Sequence, residues 1–232
     1  YTKLLPLFQS KGVPFVSAVI SGNVGKPNYM TLAQIKELQA SGCEIASHTH
    51  NHVALDSLTD VELENEFYLS TQYFKSNGIV CNNIIYPYGR ILDTQLDLVA
   101  KYFRCGVVVY GGVNKNIVHS YRLTRNALGS NCAVGENTLA FYKARVDEAL
   151  SNNGWLIFMT HAGAAEHDAT QQQYLSDTID YIKSLNIPIL TLEEAYKVRG
   201  NILELGYRGV ENHVIIGPDN EFYASNVREG YN

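Results

Sequence analysis

Three histidines fall within five residues of one another at His48, His50 and His52, inside the stretch SGCEIASHTHNHVAL from Ser41 to Leu55. Imidazole is the commonest transition-metal ligand at neutral pH. A His-x-x-x-His pair brings two rings to one centre, either from a helical turn or from a tight loop that follows a strand. His48 and His52 have that spacing and His50 is left over. Thr49 and Asn51 interleave a hydroxyl and an amide that can orient the imidazoles by hydrogen bonding. The spacing alone also admits a solvated polar loop with incidental histidines. A metal site is the sharper expectation.

These residues need a scaffold, and the flanking text describes one. Apolar positions Leu4, Leu5, Leu7 and Phe8 mark a helix ending at Gly12, and Val13 to Ile20 reads as a strand buried on both faces. A Gly- and Asn-rich loop, 21–28, leads to a helix from Leu32 to Ala40 capped by Thr31, then to the strand Cys43 to Ala46 that delivers the histidines. Thr59 caps an amphipathic helix through Phe74, with Asp60, Glu62 and Glu64 at the positive end of its dipole. Ile84 and Ile85 run into the turn Tyr86-Pro87-Tyr88-Gly89, followed by a helix from Leu92 to Phe103 and a strand from Gly106 to Tyr110. Residues 111–129 read as loop around a short extended piece, Tyr121 to Leu123. A helix from Asn137 to Leu150 feeds the strand Trp155 to Met159, with His161 just beyond it and Trp155 expected in the core. Helix Tyr174 to Leu185, strand Ile187 to Leu190 and helix Leu192 to Val198 complete the pattern. Strands alternating with helices at this interval mean βαβ units and a parallel sheet, with the chemically suggestive residues just past strand ends. From Gly200 the text changes: Ile202 to Ala224, with turn signals at Gly206, Gly209 and Pro218-Asp219-Asn220, reads as two or three short antiparallel strands. The expected division is therefore one domain over 1–199 and a β-rich tail or second module over 200–232.

Composition bounds the function. With 232 residues, 46% of them hydrophobic, the chain can bury a full core. A formal net charge of -5 and only 18% charged residues offer no basic stripe for nucleic acid. Sixteen tyrosines suit a carbohydrate-binding surface, since the ring offers an apolar face and the hydroxyl a hydrogen bond. Cys43, Cys81, Cys105 and Cys132 are widely spaced, never as Cys-x-x-Cys, and are expected reduced. No apolar run has the length of a membrane span, and no charged leader with a cleavage site opens the chain.

His48, Thr49 and His52 fill the His-Ser/Thr-x-x-His pattern of the polysaccharide deacetylase family, carbohydrate esterase family four, which the chain resembles over about residues 1–198. The resemblance implies an α/β fold, a distorted (β/α) barrel whose first strand is missing from this chain, with a short C-terminal β appendage. It implies a hydrolase acting on non-peptide carbon–nitrogen bonds, removing acetyl groups from a polysaccharide such as cell-wall glycan, at an extracellular or cell-surface location. It also implies a divalent metal, zinc foremost, on His48 and His52, which lowers the pKa of a bound water. His161 matches the late Leu-x-His motif with Met159 in the leucine position, and the family's histidine there is the general acid; Met159 keeps an apolar wall for the acetyl methyl. Tyr86-Pro87-Tyr88-Gly89 resembles the Arg-x-Pro-Tyr motif, so the Tyr88 N–H is expected at the oxyanion and Tyr86 and Pro87 beside the substrate. Ile85 stands where the motif has arginine, and Arg125 is the expected substitute. The family's paired aspartates, base and third metal ligand, belong to a strand that would precede Tyr1. Two other readings stay open: a glycan-binding or structural module without turnover, from a cell-surface or phage-tail protein, and an amidohydrolase barrel using His48 and His50 as a His-x-His pair.

Overall fold

The computed structural model describes residues 1–115 and 118–199 in full, and the backbone alone of 202–203, 213–216 and 222–226. In chain order the elements are α1 (Leu4–Lys11), β1 (Val16–Val19), α2 (Leu32–Ala40), β2 (Glu44–Ser47), α3 (Asp60–Ser76), β3 (Asn83–Ile85) and α4 (Leu96–Tyr102). There follow β4 (Cys105–Val107), β5 (Val118–His119), β6 (Asn126–Ala127), α5 (Leu139–Ser151), β7 (Phe158–Met159), α6 (Ala169–Ser184) and α7 (Leu192–Arg199). The short strands β8 (Ile202–Leu203), β9 (His213–Ile216) and β10 (Phe222–Asn226) come last. The chain forms two compact units, one of residues 1–15, 109–116 and 124–190, the other of 16–108, 117–123 and 191–232.

The second unit holds a four-stranded parallel sheet in the order β1-β2-β3-β4. Parallel pairing sends every strand's C-terminal end to the same edge, so residues 48–52 after β2 and residues 86–89 after β3 emerge side by side. The intervening helices start where their caps dictate. Thr31 with Gln34, and Thr59 with Glu62, form reciprocal capping boxes at α2 and α3. Leu55, Leu63, Phe67, Ile84, Tyr86, Leu96, Val99 and Phe103 form the core of this unit. Burying each such aliphatic or phenyl side chain contributes about 1.5–3 kcal/mol. In the first unit, α1, α5 and α6 surround the parallel pair β6–β7, with Leu128, Tyr142, Leu175 and Ile179 at the centre.

Several local expectations give way. The strand expected over 13–20 is shorter and lies at the sheet edge, with only Val19 buried and Ala18 exposed, because among the described residues β2 is its one partner in the sheet. The helix expected from Leu92 begins as a 3-10 turn, Asp93–Gln95, and becomes α-helical at Leu96. The strand expected over 155–159 keeps only Phe158 and Met159 in the ladder; Trp155 is half-buried and pairs with Asn114 in an isolated antiparallel bridge. Residues 187–190 are not a strand, and Pro188 has no N–H to give to a ladder. Asn126 and Ala127, expected in loop, form β6. In the tail, β9 and β10 are antiparallel as expected, whereas Ile202–Leu203 pairs parallel with β5. The turn signals Gly206, Gly209 and Pro218-Asp219-Asn220 lie outside the described residues. No disulfide joins the four cysteines, as expected.

Candidate active site

The loop after β2 is bent by two residues of uncommon backbone conformation. Thr49 and His52 have φ of 63° and 59°, a left-handed region that a β-branched residue such as threonine rarely enters. Hydrogen bonds on every side hold the bend. The Ser47 hydroxyl accepts from the Thr49 N–H at 3.1 Å, and the Thr49 hydroxyl accepts from the His52 N–H at 3.1 Å. Thr49 and His50 carbonyls accept from Ser21 and Gly22, and the Ser21 hydroxyl meets His50 Nδ1 at 2.9 Å. One Glu66 oxygen accepts the N–H groups of His50 and Asn51, at 3.1 and 2.8 Å; the other accepts Asn51 Nδ2 at 2.6 Å.

The outcome is that His48 and His52 face one another edge-on, ring centroids 4.7 Å apart at 68°. His48 Nδ1 donates to the Ile85 carbonyl at 2.5 Å, which makes Nε2 the unprotonated nitrogen, as in a ligand imidazole oriented by a backbone carbonyl. Burial lowers the His52 pKa below the usual histidine value, so the ring is neutral at neutral pH, the form that coordinates a metal. His50, which the spacing left over, turns instead to Ser21. The donor set thus fits two corners of a nitrogen-ligated metal site. Among the described residues, no group of three His, Cys, Asp or Glu could hold a metal ion.

Beyond β3, Tyr88 also has a left-handed φ of 57° and packs its ring against His52, centroids 5.0 Å apart. Tyr88 is 56% exposed, and the Arg90 guanidinium lies 5.9 Å from its ring centre. Pro87 is buried beneath. Tyr86 differs from the expected substrate neighbour: it is fully buried, its hydroxyl donates to the Tyr121 carbonyl at 3.0 Å, and Gly106 leaves the space for its ring. Alternation along an extended chain sends Tyr86 inward, so it supports the turn from below.

The first unit presents His161 just past β7, exposed, with its N–H donating to the Ser130 hydroxyl at 2.8 Å. Asn131 Nδ2 lies 3.0 Å from His161 Nδ1. An amide nitrogen donates, so Nδ1 accepts and Nε2 carries the ring proton. Met159 is half-buried in β7. Arg125 is 7% exposed, and its Nε has no hydrogen-bond partner among the described residues. Burial lowers its pKa to about 10, which leaves it charged at neutral pH. Glu66, Ser21, Ser130 and Asn131 escaped the sequence reading. Only Glu66 carried a signal there, as a charge on the face of α3 that buries Leu63, Phe67, Ser70 and Phe74.

The polysaccharide deacetylase family model matches residues 1–103. A curated relative, "Putative polysaccharide deacetylase YxkH" of Bacillus subtilis (strain 168), is 28% identical over 127 residues, 54% of this chain and 46% of the relative. The chain thus spans under half the length of that protein. Among solved structures, a probable polysaccharide deacetylase from Pseudomonas aeruginosa PAO1 has a TM-score of 0.66 at 16% identity, over 84% of this chain and 71% of the other. The Xyl-CE4 domain of a multidomain xylanase from the hindgut metagenome of Trinervitermes trinervoides has a TM-score of 0.59 at 17% identity, over 86% and 84%. At these identities the two structures speak for the fold, which is the expected α/β fold of the deacetylase type. By the model that residues 1–103 match and by the fold it shares with these structures, the chain is similar to the polysaccharide deacetylases.

Proposed function

We propose that this chain removes acetyl groups from an N- or O-acetylated polysaccharide, with cell-wall glycan the leading candidate, using a divalent metal such as zinc. The observation that carries the reading is the pair of imidazoles, 4.7 Å apart, set at the C-terminal rim of a parallel sheet, the edge where α/β folds place their ligands. His48 and His52 would hold the metal, and when bound it supplies an acidified water and polarises the acetyl carbonyl. The chain's own groups do the rest. The Tyr88 N–H faces the developing oxyanion, and Pro87 fixes the bend that aims it. His161, protonated on Nε2, hands that proton to the departing amine or alkoxide, while the Asn131 amide holds Nδ1. Met159 gives the acetyl methyl an apolar wall. A buried guanidinium is costly without an anion, and Arg125, whose Nε has no partner among the described residues, is assigned to the carboxylate that serves as base in the family. Tyr86 acts through the core by supporting the turn. A cell-surface or extracellular setting follows from such a substrate, and no described helix is long and apolar enough to cross a membrane.

The experiment is acetate release from an N-acetylated chitooligosaccharide by zinc-loaded protein. Turnover that is lost in His48→Ala and His52→Ala supports the reading. Glycan binding without acetate release would identify a non-catalytic module. Undiminished turnover in Arg125→Ala would remove the role given to that residue, and metal retained through His50 in place of His52 would favour the amidohydrolase arrangement.

A further inference from the structure

Two left-handed non-glycine residues within four positions make the histidine loop a conformation that an unsupported chain would leave. The bonds through Ser47 and Thr49 are internal to the segment and travel with it. Anchors from outside the loop fall at three places: at His48, the Val19 and Ile85 carbonyls; at residues 49–51, the edge after β1 through Ser21 and Gly22 and the Glu66 carboxylate on α3; and at His52, the Tyr88 ring. Glu66 is 6% exposed, lies on the apolar face of its helix, and spends both oxygens on residues 50 and 51. Those two residues lie between His48 and His52, so their backbone direction helps decide whether the two rings meet. Bonds from N–H groups to an ionised carboxylate are about twice as strong as neutral ones, which suits an anchor that must hold a strained bend.

We infer that Glu66 is a positioning residue: it holds the loop so that His48 and His52 face each other before any metal arrives. The consequence for metal affinity rests on the deacetylase reading, whereas the ring geometry does not. Glu66→Met keeps length and removes both acceptors. Glu66→Gln retains the three contacts without charge, because its carbonyl can accept the two N–H groups and its amide can donate to a turned Asn51 side chain.

In metal-free full-length chain, nuclear Overhauser contacts between the His48 and His52 ring protons are expected in wild type and Glu66→Gln, and lost in Glu66→Met. Zinc titration calorimetry on the same folded samples is expected to show affinity about 10–100-fold weaker in Glu66→Met and near wild type in Glu66→Gln. Should Glu66→Met fail to fold, Asn51→Asp decides. Asn51 is exposed, and the new carboxylate would face that of Glu66 and lose the donated bond, separating the rings. Ring contact and zinc affinity unchanged in a folded Glu66→Met, or ring contact unchanged in Asn51→Asp, would overturn the assignment. A wild type that binds no zinc, with the ring contact still lost in Glu66→Met, would sink the metal reading and leave the positioning role standing.

Discussion

At the scale of single residues, each unit carries candidate side chains whose protonation and direction are imposed by neighbours in the same unit. His161 is the clearest case, with its N–H tied to Ser130 and its Nδ1 to Asn131. Replacing His161 by alanine is expected to lower turnover of the acetylated substrate about 10²–10⁴-fold, with fold and zinc affinity retained, as kcat against KM and calorimetry would show. Cys105 lies at the opposite extreme of accessibility. It is fully buried, and burial raises its thiol pKa well above the usual value. Alkylation at about pH 8.5, where an ordinary thiol is half ionised, is therefore expected to spare Cys105 in native protein and modify it in denaturant, read by mass spectrometry. Type and spacing singled out His48 and His52, and the family motif it matches singled out His161. Which ring nitrogen faces what was not visible there, because that depends on Ile85 and Asn131, 37 and 30 residues away in sequence.

At the scale of elements, each strand delivers its residues to an edge and each helix braces that edge from behind. Helix α3 is started by the Thr59–Glu62 box and carries Glu66 to the histidine loop. Thr59→Ala is expected to cost about 1 kcal/mol of stability by denaturant titration. The β3 turn depends on Tyr86 filling the space above Gly106, where an added Cβ would lie 1.9 Å from the tyrosine oxygen. Overpacking of this kind costs about 1–3 kcal/mol, so Gly106→Ala is expected to destabilise the chain by that amount and disturb the Tyr88 turn with it. Glu44, in β2, contributes a pH dependence. Burial raises its pKa against the opposing hydrogen bonds from Asn83 and the Glu193 N–H. The folded chain then holds the Glu44 proton more tightly than the unfolded chain does. This contribution is present below the ordinary carboxylate pKa and is lost as pH rises through the folded value. Compared with wild type, Glu44→Gln is expected to show a smaller fall in stability across that window, measured by denaturant titration at a series of pH values. Helix positions were legible because caps and apolar period are local. The short strands β5 to β7 were not, since two-residue ladders leave no periodicity to read.

For the molecule as a whole, metal and stability are linked. A ligand that binds only the folded chain stabilises it by mass action, so zinc at about a hundred times its dissociation constant is expected to add about 2.7 kcal/mol. Chelation should reverse the gain, and His48→Ala should abolish it, both followed by thermal melting. What the sequence by itself determined was the α/β alternation, the capped starts of α2 and α3, the His48 and His52 spacing and the family motifs, because each is written in residues a few positions apart. What the tertiary structure alone decided was that His50 turns to Ser21, that Tyr86 belongs to the core and that Glu66 holds the loop. Those outcomes depend on partners brought together by the parallel sheet and the helices packed on it. A strained loop has no conformation of its own until such partners are in place.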